Sequence, residues 1–231
     1  MKPKNLVFPD AIDYENSALP NLTKNDVDKS IITNTKKVGH VYKGFEFLDE
    51  LEEYLFETIS SFTTVDEVSD EKLLSIFHNI QIWGGKTGRM IYVTNKQKFP
   101  ENYKGRFDYN FDLSAYRRLV SRCLNLKKHM LPDWIKTVSD WAFQVNEDLK
   151  GFSTSFSTKH IRFWLYNKLQ DESLPIFDDI IQSGFNNINT YNLNLRKQTD
   201  LEFYWKQMVE KSRRENISLV KLERLLFNYW R

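Results

Sequence analysis

A lysine and an aspartate nineteen positions apart are the residues most able to do covalent chemistry in this chain. Lys159 closes the turn-prone run Gly151-Phe-Ser-Thr-Ser-Phe-Ser-Thr and opens the apolar stretch His160-Ile-Arg-Phe-Trp-Leu-Tyr. Asp178 follows in Pro175-Ile-Phe-Asp178-Asp179. A helix over 159–169 spans roughly 16 Å at about 1.5 Å per residue. The residues 170–177 reach about 26 Å when extended, so the chain can turn back and set Asp178 beside Lys159. Ser157 and Thr158 are side chains that start helices, which puts Lys159 in the first helical turn. The positive end of the helix dipole disfavours an ammonium there. Only the free amine is a nucleophile, so a lysine that sheds its proton readily suits covalent attack. Asp178, just before Ile180-Ile181, is placed to cap the next helix while staying ionised.

This lysine–aspartate segment resembles the active-site segment of the helix-hairpin-helix DNA glycosylases, above all the 8-oxoguanine glycosylase branch and its compact bacterial relatives. In that family a lysine closes the hairpin and an aspartate lies about the same distance downstream. The likeness covers roughly residues 150–185. It extends weakly to Trp83-Gly84-Gly85-Lys86-Thr87-Gly88-Arg89 and to the C-terminal Leu222–Arg231. The family's hairpin usually reads Gly-hydrophobic-Gly-x-Lys, and here the two glycine positions hold Ser155 and Ser157.

The resemblance implies a mainly α fold, with two helical lobes around a cleft, a helix-hairpin-helix element at its mouth and few short strands. It implies a DNA glycosylase that flips a modified base out of double-stranded DNA and excises it, with a possible strand-cleaving lyase step. No cofactor and no metal are implied, and the protein is expected to be a monomer. Lys159 would be the nucleophile and Asp178 its partner. Phe163, Phe227 and Trp230 would line the base pocket. Ser155, Ser157 and Thr158 would meet the DNA backbone through the hairpin. Oxidised guanine is the base the likeness suggests. A decorated cytosine of the phage type stays open, and Asn186, Asn187 and Asn189 would then line a roomier opening; that reading makes the enzyme one of phage defence instead of repair. A non-catalytic DNA-binding or partner-binding module on the same scaffold is the other reading, and a purely structural helical protein a third.

The elements that must position these residues follow from composition and pattern. At 231 residues, with 41% hydrophobic and 15% aromatic side chains, the chain can bury a real core. No long apolar run suits a membrane-spanning helix, and Met1–Pro9 lacks the apolar centre of a signal peptide. Cys123 is the single cysteine, which excludes an internal disulfide and fits a reducing, cytoplasmic setting, close to the nucleoid if DNA is the partner. The four histidines are scattered, with no pair at metal-ligand spacing. Net charge is +2, unevenly spread: residues 1–81 hold 8 basic and 15 acidic side chains, whereas 86–136 hold 12 and 4. The basic block is the footprint of a polyanion-binding face. Lys86, Arg89, Arg117, Arg118 and Arg122 are its candidate phosphate contacts.

Residues 1–42 read as an extended arm that packs on the body, with short strands near Ile31-Ile32 and Val38–Tyr42. Residues 43–231 then form the helical domain. Phe45–Ser60 is amphipathic, with Glu46, Asp49, Glu50, Glu52 and Glu53 on an acidic outer face. Val65–Ile82 reads as one helix capped by Ser69 or Asp70. Trp83–Arg89 is a capping glycine turn, or a loop that brings Lys86 and Arg89 to phosphates or a wedge residue to the duplex. It lacks the glycine spacing of a phosphate-binding P-loop. A short alternating piece at Met90–Thr94 precedes helices over Asp112–Leu126 and Pro132–Leu149, the latter with Pro132 in its first turn. A helix from 180 stops near Gly184, an Asn-rich loop spans 186–194, and Thr199–Arg214 and Ser218–Tyr229 close the chain.

Overall fold

Asp and Ser side chains start most of the helices. The computed structural model describes residues 5–10, 12, 48–84, 112–128, 133–149 and 152–230. Within them run α1 (Leu48–Ser60), α2 (Asp70–Trp83), α3 (Leu113–Leu124), α4 (Trp134–Asp148), α5 (Thr154–Leu169), α6 (Asp179–Ile188), α7 (Gln198–Glu215) and α8 (Leu219–Trp230). Short 3-10 turns cover Val65–Glu67 and Gln170–Glu172. The fold is mainly α, and no strand occurs among the described residues.

Asp112 accepts from the amides of Ser114 and Ala115 to start α3, and Asp133 from Lys136 to start α4. Ser69 and Ser218 do the same for α2 and α8 through Lys72 and Lys221. Each such cap is worth about 1 kcal/mol. Three expected boundaries move. The single helix expected over 65–82 divides, because Val68 is extended and buried and ends the first turn before Ser69 starts α2. The helix from Asp179 does not stop at Gly184 but continues to Ile188. The helix that carries Lys159 starts at Thr154, not at the Ser157–Thr158 pair. The strands expected at 31–32 and 38–42, the alternating piece at 90–94 and Pro132 lie outside the described residues.

Helix α5 is the hub. It packs against α1, α2, α3 and α4, and eleven consecutive or near-consecutive residues from Thr154 to Leu165 are buried. A helix buried all round sits in a core. Ile161, Phe163, Trp164 and Leu165 are wholly enclosed, each worth about 1.5–3 kcal/mol on burial. Helix α8 packs on α6 and α7, and α7 also packs on α4. The described part of the N-terminal arm docks on this side. The Leu6 amide donates to Gln207 Oε1 at 2.8 Å, and Val7 exchanges two hydrogen bonds with the Asn189 side chain. Phe8 meets Phe185 edge-on at 5.2 Å. Among the described residues, no helix is long and apolar enough to cross a membrane.

Candidate active site

Lys159 lies in the second turn of α5, one turn deeper than expected. The Ser/Thr run ahead of it is itself helical, with hydroxyls turned inward. Ser157 Oγ donates to the Thr154 carbonyl at 3.2 Å, and Thr158 Oγ1 to the same carbonyl at 2.8 Å. Ser157 and Thr158 are wholly buried, so neither can meet a DNA phosphate, and that expectation is corrected. Both hydroxyls donate back to the preceding turn, and Thr158 Oγ1 also accepts from the Phe177 amide. Ser155 is half-buried and its hydroxyl accepts from the Lys159 amine at 3.3 Å.

The lysine amine also donates to the Gly84 carbonyl at 3.1 Å. Gly84 directly follows α2, its amide donating to Ile80 O at 2.9 Å. A Cβ there would stand 3.2 Å from both Lys159 Cδ and the Gln81 carbonyl. The missing side chain is what lets the lysine lie along the end of α2. By pattern this glycine is a turn former, and the adjoining Trp83 is the signal in the sequence of a packed site. Trp83 is 8% exposed and meets Phe163 edge-on at 5.0 Å.

Asp178 faces the amine from across the site, Lys159 Nζ to Asp178 Oδ2 being 4.0 Å. Its other oxygen, Oδ1, accepts from the amides of Ile180 and Ile181, both at 3.1 Å, and so starts α6. Capping thus fixes one oxygen and aims the other. Side chains hold the extended chain before it. Trp205 Nε1 donates to the Pro175 carbonyl at 2.7 Å and Tyr204 OH to the Ile176 carbonyl at 2.9 Å. The Ile176 amide donates to Glu223 Oε2 at 3.2 Å, and the Phe177 amide to Thr158 Oγ1 at 3.2 Å. A buried backbone with no ladder partner needs such substitutes for every group.

Burial pushes the Lys159 ammonium below its usual proton affinity, while Asp178, Glu223 and Asp179 pull the other way. The net direction is downward. Desolvation, not the helix dipole, is therefore the cause, since the dipole fades beyond the first turn. His160, next along α5, is held neutral by burial and by the Lys159 charge. It is hydrogen-bonded to Tyr116 OH at 2.7 Å and to Gln81 at 3.0 Å, and Trp164 Nε1 donates to the same Tyr116 oxygen at 2.8 Å.

A second charged cluster lies directly behind. Arg162 is fully buried, with Nε donating to Glu223 and Nη2 to Glu52, both at 3.0 Å. Arg224 also binds Glu52, at 2.5 Å. Glu52 is 1% exposed, so its expected place on an acidic outer face is corrected: α1 turns it inward to meet Arg162. Arg162 also lies over the rings of Phe56, Trp83 and Phe163.

The remaining candidates disperse. Phe163 is wholly enclosed between Trp83 and Phe56, so no face of its ring is open to a base, and its place in an open pocket is corrected. Phe227 is half-buried against the core. Trp230 lies flat on Gly184, where a Cβ would overlap its indole, and meets Phe185 at 4.6 Å. Asn186 closes on Leu193, accepting from its amide and donating to its carbonyl, and Asn189 is spent on Val7 and Phe185. Neither amide lines an opening; Asn187 alone of the three is exposed. Arg117 donates to the Val65 and Val68 carbonyls and pairs with Asp70, which ties α3 to the turn before α2. Arg118 is half exposed near Asp112 and Asp148, and Arg122 donates to Gln144. Lys86 and Arg89 lie outside the described residues.

A cavity of about 700 Å³ opens at the far end of α5, between Glu53, Glu57, Tyr166, Asp171 and Lys221. Lys159 does not line it. Among the described residues, no three His, Cys, Asp or Glu side chains group closely enough to hold a metal ion. Compared with known proteins, the chain matches no family model, no curated protein and no solved structure.

Proposed function

We propose that the protein is a DNA glycosylase in which Lys159 attacks the sugar of a modified nucleotide and Asp178 assists. The observation that carries this reading is the pairing of a buried, proton-shedding amine with a carboxylate 4.0 Å away whose other oxygen is locked by a helix start. The base would be extruded from the duplex to reach the site. The Lys159 amine forms a bond to C1′ as the glycosidic bond breaks, and the base departs with the bonding electrons and gains the proton that the attacking amine sheds. Asp178 Oδ2 takes the proton shed by the amine and offsets the positive charge that builds on the sugar. Sugar ring opening gives an imine, from which elimination can cut the strand. A separation of 4.0 Å is long for proton transfer, and catalytic contacts commonly tighten when substrate binds.

The test is a panel of duplexes, each with one modified base, incubated and then treated with hot alkali to reveal abasic sites. Oxidised guanine and decorated cytosine both belong in it and separate repair from phage defence. Borohydride should trap a protein–DNA adduct on the substrate duplex. Lys159→Gln should abolish both base release and trapping. Asp178→Asn keeps a capping side chain yet slows release; Asp179→Asn does far less. Wild-type excision by Lys159→Gln would sink the proposal.

A further inference from the structure

An amine on α5 faces a carboxylate at the start of α6 only if two backbone stretches stay in register. One side-chain oxygen joins them. Three residues beyond Lys159, Arg162 donates from Nε to Glu223 Oε2 at 3.0 Å. Two residues before Asp178, the Ile176 amide donates to that same oxygen at 3.2 Å. A shorter tie runs alongside, from the Phe177 amide to Thr158 Oγ1 at 3.2 Å, one residue before each member of the pair. Glu52 grips the far side of Arg162 and is itself held by Arg224, so the guanidinium cannot swing away from Glu223.

Stability alone does not account for this arrangement. Buried ion pairs rarely outdo apolar side chains of similar volume, because desolvating both charges offsets their attraction; the best-attested gain is a fixed register. We propose that Glu223 is a positioning residue for the Lys159–Asp178 pair, bracing the helix that carries the lysine against the segment that carries the aspartate. The inference deepens the base-excision reading and, for its catalytic consequence, rests on it. The charged groups that face Lys159 are Asp178 and Asp179 from α6 and Glu223 from α8, with neutral His160 beside it on α5. From α2 it meets the Gly84 carbonyl. Glu223 therefore acts on the amine twice, through the backbone and through its charge.

Two variants separate these effects. Glu223→Gln keeps an oxygen for both donors and removes the charge. The double variant Arg162→Met with Glu223→Leu removes the tie, leaves no unpaired charge of its own, and keeps Glu52 with Arg224. Three readouts apply: amide hydrogen exchange at Ile176, the titration midpoint of Lys159 followed by NMR of labelled lysine, and single-turnover base release beside duplex affinity. Glu223→Gln should keep the Ile176 amide protected and lower the Lys159 midpoint. The double variant should speed Ile176 exchange at least about tenfold and slow base release by roughly ten- to a hundredfold, as expected for a displacement near 1 Å, at unchanged affinity for the duplex. Wild-type exchange at Ile176 in the double variant overturns the brace. Should that variant not fold, an Ile176 amide that exchanges in the wild-type protein as fast as in an unstructured chain overturns the brace equally. If the wild-type protein releases no base from any duplex, the excision reading falls instead, and exchange at Ile176 still decides whether Glu223 braces the pair.

Discussion

Replacing Lys159 with methionine should remove a pH dependence of stability that the buried amine imposes. Burial lowers the proton affinity of Lys159 below the ordinary lysine value of 10.5. Between its folded and unfolded pKa values, the unfolded chain binds more protons, so stability rises with pH. The cost of burying the charge is therefore present in full below the folded pKa and is relieved as pH climbs to 10.5. The slope in that window approaches 2.303RT, about 1.4 kcal/mol per pH unit. Methionine has nearly the same length and no proton, so its variant lacks this contribution. The offset between the two proteins is less informative than the slope. It mixes relief of the buried charge with loss of the bonds to Gly84 and Ser155, each worth about 0.5–1.5 kcal/mol. Urea unfolding of both proteins, repeated from neutral pH to 10.5, isolates the slope. All other titrating groups cancel in the difference. Wild-type stability minus that of Lys159→Met should rise with pH across the window. A difference that stays flat, or falls, would refute burial as the dominant influence and leave Asp178, Asp179 and Glu223 in control of the amine.

Gly184→Ala should destabilise the protein by about 1–3 kcal/mol, the usual cost of overpacking, because the new methyl overlaps the Trp230 indole. In a Trp230→Ala background the same change should cost much less, and equal costs in a denaturation cycle would contradict the contact. His160 is held neutral in the fold, so stability should be full above its ordinary value of 6.5 and decline below it by up to about 1.4 kcal/mol per pH unit; His160→Gln should flatten that decline in acid unfolding scans. Duplex affinity should weaken with salt, at a log–log slope of about −0.9 per phosphate contacted. Reversing Arg118 and Arg122 to glutamate should shallow that slope, whereas an affinity indifferent to salt excludes phosphate contacts. Arg117 is unsuitable for this test, since its guanidinium supports the Val65 and Val68 carbonyls.

The parts of this fold that can be read from sequence are those in which polarity and geometry agree. Leu51, Leu55 and Ile59 recur at helical spacing and are buried in α1. Asp178 is a capping residue at the right distance from Lys159 to come back beside it, and chain length plus capping preference suffice to expect that meeting. Helix α5 is different. Enclosed on nearly every side, it has no polar face to set its phase, so its Ser/Thr start reads as a turn and its first residue cannot be placed from pattern. Gly184 likewise reads as a stop because the Trp230 ring that occupies its bare face lies far along the chain.

Glu52 shows why charge misleads most at a buried site. Read along α1 alone, it belongs with Asp49, Glu50 and Glu53 facing water. Its partner Arg162 is 110 positions away, so nothing local distinguishes it from its exposed neighbours. What can be read instead is the apolar side of the cluster. Arg162 stands inside Ile161-Arg-Phe-Trp-Leu165, and Glu223 inside Val220-Lys-Leu-Glu-Arg-Leu-Leu-Phe227. A lone charge enclosed by large apolar side chains cannot reach water without dragging them out, and a buried charge left unpaired is costly. Each such residue therefore calls for an opposite charge from another element. Arg162 meets that description and so calls for a distant carboxylate behind Lys159; Glu223, with Lys221 and Arg224 beside it, does not announce itself, and only the fold brings it to Arg162 and, through the Ile176 amide, to Asp178.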